Sequence, residues 1–271
     1  MNFQQKLNKI LKKNNSLLCI GLDPDLEKFP KHILKSADPI FIFNKSIIDE
    51  TFNLVYAYKP NIAFYEAYGL KGLKSLEKTI QYLKKKYPDI PIILDAKRAD
   101  IGNTAKMYAK AIFEYWGVDA TTVYPYLGLD SVVPFLEYKN QCTILLIRTS
   151  NPDAKTFQDL KINGEPFYMQ LANEIKKWKF ENIGVFVGAT YPDELVKVRK
   201  LFPDSPILTA GLGVQGAQTK KAVQAGVDKK GQNLICNNSR EIIYAGSNKD
   251  FVLKSRLKAI EIRDIIESYR S

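Results

Sequence analysis

Short apolar runs of strand length recur along the chain, and a segment with helical periodicity follows each of them. The runs are nearly continuous in hydrophobicity, which is typical of parallel strands that are covered on both faces. Eight such runs occupy residues 17–22, 55–59, 92–95, 120–124, 143–147, 185–187, 207–209 and 234–236. Regular alternation of strand and helix indicates parallel βα units, so we expect a single α/β fold, the (β/α)8 or TIM barrel.

Apolar residues at helical spacing predict helices between the strands and at both ends of the chain. The predicted stripes consist of Leu73, Leu76, Ile80 and Leu83, of Tyr108, Ala111, Ile112 and Tyr115, and of Leu253, Leu257, Ile260 and Ile265. The first fifteen residues are basic and amphipathic, but they lack arginine and run straight into a strand. We therefore expect them to form a helix that covers one end of the barrel.

Length and composition agree with one barrel domain spanning residues 1–271. The chain has 271 residues, 45% of them hydrophobic and 25% charged, and no Gly/Ser- or Pro-rich linker divides it. No apolar run approaches the length of a membrane span, so we expect no membrane association.

The cysteine and histidine content limits the available chemistry. Cys19, Cys142 and Cys236 lie far apart without CxxC spacing, which argues against zinc and against a disulfide framework and fits a reducing cytoplasm. His32 is the single histidine, so a Ser/His/Asp triad or a multi-histidine metal site would have to include it. Catalysis by Lys, Asp, Arg or Ser is the better hypothesis.

The net charge of +11 is compatible with nucleic acid, a membrane surface or a phosphorylated small ligand as partner. Lysines are spread over most helical segments and no nucleic-acid recognition module is present, so a solvated basic surface is the simpler interpretation.

Polar residues cluster where the predicted strands end, and active sites of this fold form at those ends. Asp95 and Lys97 are two residues apart, so both side chains point the same way from an extended strand, and Lys59 from the second strand could meet them. Alternating lysines and carboxylates can hold a lysine protonated and a carboxylate ionised beside an anionic substrate. A salt-bridge layer that only neutralises charge explains these three residues equally well.

Two further strand ends carry candidate ligands. The glycines at 211, 213 and 216, together with Gln215 and Arg240, are typical of a phosphate loop at the seventh and eighth strands, while a turn that needs positive φ is the alternative. Ser150 could bind a ligand, although a helix cap is the simpler role, and Asp23 could equally be a turn residue.

The segment from Asp95 to Thr104, DAKRADIGNT, resembles the DxKxxDIxxT signature of the orotidine 5'-monophosphate (OMP) decarboxylases. Residues 21–25, 57–66, 149–152, 187–190 and 238–240 are similar to the longer, bacterial-type branch of that family. The resemblance implies a cytoplasmic carboxy-lyase that converts OMP to UMP and CO2, the last step of de novo pyrimidine nucleotide synthesis, without a metal or another cofactor.

The resemblance also implies roles for individual residues. Lys59, Asp95 and Lys97 would form a catalytic array with Asp100 of a partner subunit, in a homodimer with shared active sites, and Lys97 would protonate C6 of the pyrimidine ring. The implied substrate-binding residues are Asp23, which with Lys59 contacts the ribose, Asn61, Ile101 and Thr104, of which the last two reach into the partner's site, Ser150 at the pyrimidine edge, and Gln215 and Arg240 at the phosphate.

Three alternatives remain at this stage. A sugar-phosphate decarboxylase or isomerase of the same superfamily shares the DxKxxD core and would normally use Mg²⁺. A Schiff-base aldolase would use Lys59 or Lys97 as the nucleophile. A basic nucleic-acid-binding protein would show salt-dependent binding and no decarboxylation.

Overall fold

The centre of the molecule is a parallel sheet of eight strands, seen in a computed structural model that describes residues 1–212 and 216–270. The strands are β1 (Leu18–Leu22), β2 (Ala57–Pro60), β3 (Ile93–Arg98), β4 (Ala120–Val123), β5 (Cys142–Arg148), β6 (Ile183–Val187), β7 (Ile207–Ala210) and β8 (Leu234–Asn238). Their order is β2-β1-β8-β7-β6-β5-β4-β3, and isolated bridges from Tyr58 to Ile92 and from Asn61 to Asp95 join β2 to β3. The predicted (β/α)8 barrel is confirmed.

Helices surround this barrel. The longer ones are α1 (Phe3–Asn14), α2 (Pro39–Thr51), α3 (Gly69–Lys86), α4 (Gly102–Lys110), α5 (Leu129–Leu136), α6 (Phe167–Lys177), α7 (Pro192–Leu201), α8 (Gly216–Gly226) and α9 (Phe251–Ser268). Short helical segments follow several strands, at Lys31–Leu34, Ala63–Glu66, Lys155–Gln158 and Arg240–Ile243, and a π-helical segment, Ala111–Trp116, continues α4. A small antiparallel hairpin pairs Lys161–Ile162 with Glu165–Pro166.

Helix α1 covers the N-terminal end of the barrel, as its sequence predicts. Its start is fixed by a capping box in which Asn2 and Gln5 bond to each other's backbone N–H groups. The backbone N–H of Phe3 donates to Asn140 O at 2.9 Å, and Lys6 forms an ion pair with Asp119 at 2.7 Å. Both partners lie in loops that enter the barrel strands, so the helix is docked across that end.

The predicted buried face of α3 is confirmed at Leu76, Ile80 and Leu83. The predicted faces of the segment from α4 to Trp116 and of α9 are wrong in part. Tyr115 is 66% exposed, and Leu253 and Leu257 of α9 are exposed as well. The core-facing side of each segment mixes large residues with small ones that carry little hydrophobic signal. The buried residues are Ala105, Ala109, Ile112 and Phe113 in the first segment and Phe251, Ser255, Ala259, Ile262 and Ile266 in α9. Small side chains let a helix approach the sheet closely, so the larger side chains beside them turn outward.

A buried arginine joins the loops at the N-terminal end of β7 and β8. Arg199 donates hydrogen bonds to the carbonyl oxygens of Gly226 (2.8 Å), Phe202 (2.9 Å), Ser205 (2.8 Å) and Asn233 (2.8 Å). Burial lowers the pKa of its guanidinium to about 10. Among residues 1–212 and 216–270, no carboxylate forms an ion pair with it, so backbone carbonyls compensate its charge.

The three cysteines are buried and unpaired. Burial raises the pKa of Cys19 and of Cys142 to about 12, and it raises that of Cys236 well above the ordinary value. Over the described part of the chain, no helix is both long enough and apolar enough to span a membrane.

Candidate active site

The site centres on Asp95, which two lysines clamp at the C-terminal mouth of the barrel. Lys59 Nζ lies 3.0 Å from Asp95 Oδ2, and Lys97 Nζ lies 2.6 Å from Asp95 Oδ1. The side chains of Lys59 and Asp95 are only 6% and 8% exposed, whereas that of Lys97 is 41% exposed. The inner ion pair is therefore shielded from water, and the Lys97 ammonium remains accessible from the mouth.

The charges of this cluster are fixed by mutual attraction. Burial opposes ionisation of Asp95, but Lys59, Lys97 and a hydrogen bond from Thr122 lower the pKa of its carboxyl far below the usual range. Burial likewise opposes protonation of Lys59, but the nearby charges of Asp95 and Asp23 raise its pKa well above the ordinary lysine value. Asp95 is thus a carboxylate and Lys59 an ammonium at neutral pH.

The strand that carries Asp95 and Lys97 is not extended at its end, which corrects the alternation argument made from the sequence. Lys97 has a left-handed backbone with φ of +44°, and the β3–β4 register jumps from Leu94 opposite Thr121 to Arg98 opposite Val123. The backbone N–H of Lys97 donates to Thr122 Oγ1 at 3.0 Å. Asp95 and Lys97 still meet, through a bulge rather than through strand parity.

Asp23 approaches the array from the end of β1. It is buried, and its Oδ1 has no hydrogen-bond partner among the residues that the structure describes. Beside it, β1 and β8 pack so closely that a Cβ on Gly21 would lie 1.7 Å from Ser239 Oγ. A buried carboxylate oxygen without a donor is suited to accept a hydrogen bond from a ligand hydroxyl.

The end of β5 is anchored by Arg148, which is completely buried. Arg148 forms ion pairs with Asp159 at 2.8 Å and with Glu194 at 2.7 Å, and its guanidinium lies 4.2 Å from the ring centre of Tyr191. These contacts fix the start of the segment 149–166, in which Ser150 is exposed. Ser150 packs over Gly188 at the end of β6, where an added Cβ would lie 2.8 Å from Ser150 Cβ.

Of the residues predicted to bind phosphate at the ends of β7 and β8, the structure describes only some. Gln215 lies outside the described residues, and so does Gly213. Arg240 begins a short helix after β8 and is exposed. Gly211 has a φ of +93°, as a turn requires, and Asn238 Nδ2 donates to Leu212 O at 2.9 Å, which ties the two strand ends together.

The remaining predicted residues do not join the array within this chain. Asp100 Oδ1 accepts from the backbone N–H of Ile101 at 2.8 Å, and across the described ranges no lysine or arginine pairs with Asp100. Ile101 and Thr104 are exposed. Asn61 Oδ1 accepts from the backbone N–H of Ala63 at 3.1 Å, so its side chain is engaged locally.

Two residues of the site were missed by sequence reasoning. Thr122 contacts Asp95 and Lys97, and Arg148 anchors the loop after β5. Strand alternation places Thr122 on the inward side of β4, and this could have marked it as a candidate site residue. The partners of Arg148 come from distant segments, so the sequence gives no comparable signal for it. No group of three or more His, Cys, Asp or Glu side chains in residues 1–212 and 216–270 is arranged to hold a metal ion.

Comparison with known proteins shows which protein family this chain is related to. The model of the family described as "Orotidine 5'-phosphate decarboxylase / HUMPS family" matches residues 16–254.

This chain belongs to that family.

Curated members of the orotidine 5'-phosphate decarboxylase family resemble it over nearly their whole length. A protein named orotidine 5'-phosphate decarboxylase from Flavobacterium johnsoniae is 48% identical, with 99% of each chain covered. One of the same name from Thermomicrobium roseum is 45% identical and covers 100% of this chain and 96% of its own. The solved structure of Leishmania donovani OMP decarboxylase superposes with a TM-score of 0.86 at 33% identity, covering 100% and 99% of the two chains.

Proposed function

We propose that this chain is a carboxy-lyase that converts orotidine 5'-monophosphate to UMP and CO2, the last step of de novo pyrimidine nucleotide synthesis. The observation that carries the proposal is the Lys59–Asp95–Lys97 cluster at the mouth of the barrel, in a chain whose full-length relatives are named orotidine 5'-phosphate decarboxylase. We propose that residues 1–271 act as one catalytic domain, and the unpaired, widely spaced cysteines favour the cytoplasm.

The chemistry follows from the charges. When the bond from C6 to the carboxylate breaks, CO2 leaves and the electron pair stays on C6 of the pyrimidine ring. The accessible Lys97 ammonium stabilises this developing negative charge electrostatically and then donates a proton to C6, after which solvent reprotonates the amine. Asp95 orients Lys97 at 2.6 Å, and the buried Lys59 keeps Asp95 ionised.

Substrate binding uses the strand ends around the array. Asp23, whose Oδ1 has no hydrogen-bond partner within the described part of the chain, binds the ribose hydroxyls together with Lys59. Asn61 and Ser150 contribute from the ends of β2 and β5. Gln215 and Arg240 hold the phosphate, which is remote from the reacting carbon. Binding energy gained at the phosphate can therefore help to assemble the charged array around the ring.

A homodimer completes the site in this proposal. Asp100, which pairs with no lysine or arginine among residues 1–212 and 216–270, approaches Lys97 of the other subunit, with Ile101 and Thr104 beside the partner's substrate. Two features support this arrangement. Ile101 and Met107 expose large apolar side chains on the segment after β3, and Tyr126 and Leu127 do so on the segment after the neighbouring strand β4.

The function is tested by following OMP consumption spectrophotometrically in the presence of EDTA. Formation of equimolar UMP and CO2 under these conditions is expected. A chain that processes a sugar phosphate only with added Mg²⁺, or that is reduced onto a carbonyl substrate by borohydride, would instead be one of the alternative barrel enzymes.

The shared site has its own test. Asp100→Asn and Lys97→Ala subunits are each expected to be inactive alone, and mixing them should restore activity because one site of the mixed dimer then carries both native residues. Mixed dimers, formed and verified by native mass spectrometry, that remain inactive would contradict the assignment of Asp100.

A further inference from the structure

Strand β3 bulges opposite a single residue of β4, and that residue is Thr122. Leu94 pairs with Thr121 and Arg98 pairs with Val123, so three residues of β3 face one residue of β4. We propose that Thr122 is a positioning residue that sets the geometry of Asp95 and Lys97 for proton donation. This proposal rests on the decarboxylation proposed above and assigns a new residue to it.

The hydroxyl of Thr122 fixes the Asp95 carboxylate. It donates to Asp95 Oδ1 at 2.7 Å, and the same oxygen accepts from Lys97 Nζ at 2.6 Å, while Lys59 Nζ binds Oδ2 at 3.0 Å. Three donors on two oxygens leave the carboxylate little freedom to rotate. Without the hydroxyl, the two lysines alone define the plane of the carboxylate, and Lys97 Nζ can move with it.

The same hydroxyl fixes the backbone of Lys97. The Lys97 N–H donates to Thr122 Oγ1 at 3.0 Å, and Lys97 holds a left-handed φ of +44°, a conformation that L-residues other than Asn and Asp seldom adopt. The register break removes the β4 backbone as a partner for this N–H. A side-chain oxygen therefore takes the place of a sheet carbonyl and holds the bulge that points Lys97 to Asp95.

The adjacent threonine provides a matched control. Thr121 is as buried as Thr122 and lies on the same strand, but among the described residues its hydroxyl donates only to the backbone carbonyl of Leu94 at 2.9 Å. Replacing either threonine with valine preserves the shape of the side chain and removes the hydroxyl. A general effect of losing one buried hydroxyl from β4 should appear in both variants, whereas a positioning effect should appear only in Thr122→Val.

The experiment measures kcat and KM for OMP, Kd for UMP and hydrogen exchange of the Lys97 amide in Thr122→Val, Thr122→Ser and Thr121→Val. Thr122→Val is expected to lower kcat by about 10- to 100-fold, because displacements of catalytic groups on the ångström scale have effects of this size. UMP affinity should change little, and the Lys97 amide should lose protection. Thr122→Ser should restore kcat, and Thr121→Val should retain it.

The proposal is overturned if Thr122→Val keeps the kcat of Thr121→Val, or if both variants lose activity equally. If Thr122→Val does not fold, Thr122→Ala takes its place, with Thr121→Ala as its control. Failure of the proposed function is a separate result, since wild-type protein would then not decarboxylate OMP. In that event, equal protection of the Lys97 amide in the wild type and in Thr122→Val would still refute the positioning role.

Discussion

The hydrogen bonds of Arg199 allow a quantitative prediction for stability. Replacing Arg199 with methionine keeps an unbranched side chain of similar length and removes the guanidinium. The carbonyls of Gly226, Phe202, Ser205 and Asn233 would each lose a donor that now lies at 2.8 or 2.9 Å. Phe202, Ser205 and Asn233 lie in the segments that lead into β7 and β8, and Gly226 is the last residue of α8, so the effect should fall on the docking of the last two strands.

The size of the effect follows from the lost bonds. The carbonyl oxygen of Asn233 keeps a hydrogen bond from the backbone N–H of Ile207 at 2.8 Å, so the other three carbonyls carry the cost. A buried carbonyl left without a partner costs about 1 kcal/mol or more, so we expect Arg199→Met to lower the free energy of unfolding by about 3 kcal/mol. The substitution also removes a buried charge that no carboxylate of residues 1–212 and 216–270 pairs with, and the relief of its desolvation cost limits the net loss of stability. For a chain of this size each kcal/mol lowers Tm by about 2–4 °C, which gives a decrease on the order of 10 °C.

The measurement is urea unfolding followed by circular dichroism, with Lys200→Met as the control because Lys200 is the next residue of α7 and is exposed. The control should unfold like the wild type. Below its transition, Arg199→Met should retain the wild-type KM, since Arg199 lies at the end of the barrel opposite the site. A loss of less than about 1 kcal/mol would refute the reasoning, because a single unsatisfied carbonyl already costs that much.

Three further predictions concern the proton donor, the packing between β1 and the residue after β8, and the stability of the chain in acid. Lys97→Ala should abolish UMP formation while isothermal titration still detects UMP binding; near-normal turnover would exclude Lys97 as the proton donor. Gly21→Ala should destabilise the fold by about 1–3 kcal/mol in thermal unfolding, because the new methyl group would lie 1.7 Å from Ser239 Oγ and 2.7 Å from Ser239 Cβ. Rotation of the hydroxyl cannot relieve the second contact, so the backbone must shift. Burial opposes ionisation of Asp49, but hydrogen bonds from Lys45, Tyr82 and Tyr87 lower its pKa to about 2. This depressed pKa contributes stability above pH ~4, the unfolded carboxyl value, that is lost as the pH falls toward 2. The difference in unfolding free energy between pH 5 and pH 3 should therefore be smaller in Asp49→Asn than in the wild type. An equal difference in the two proteins would contradict the role of Asp49.

The strands could be predicted from the sequence because each one is an apolar run covered on both faces. β1 and β5 are buried along their whole length, and this leaves a continuous hydrophobic signal. The helix faces were harder to predict. In α9 the core side combines Phe251, Ile262 and Ile266 with Ser255 and Ala259, and these two small residues pack closely but interrupt the hydrophobic stripe. The exposed Leu253 therefore dominated the pattern.

The site was predictable as a set of residue types but not as a geometry. Strand alternation predicted that Asp95 and Lys97 share a face, but they meet through a bulge whose left-handed backbone at Lys97 depends on the Thr122 hydroxyl. Alternation can place Thr122 inward, but it does not show which groups the hydroxyl binds. Thr122 carries no charge and belongs to an ordinary β-rich run, so its two hydrogen bonds become evident only once β3 and β4 are placed side by side. Long-range pairing of this kind requires the assembled barrel.

The buried cysteines make the chain its own reporter of unfolding. Alkylating reagents attack thiolates, and burial both raises the pKa of Cys19, Cys142 and Cys236 and blocks access to their sulfur atoms. Cys19 and Cys236 lie on the adjacent strands β1 and β8, and Cys142 lies on β5, so the three thiols sample two separated regions of the barrel. If the barrel opens in one cooperative event, iodoacetamide should label all three at a common rate, and mass spectrometry would then time the opening of the barrel without any engineered probe.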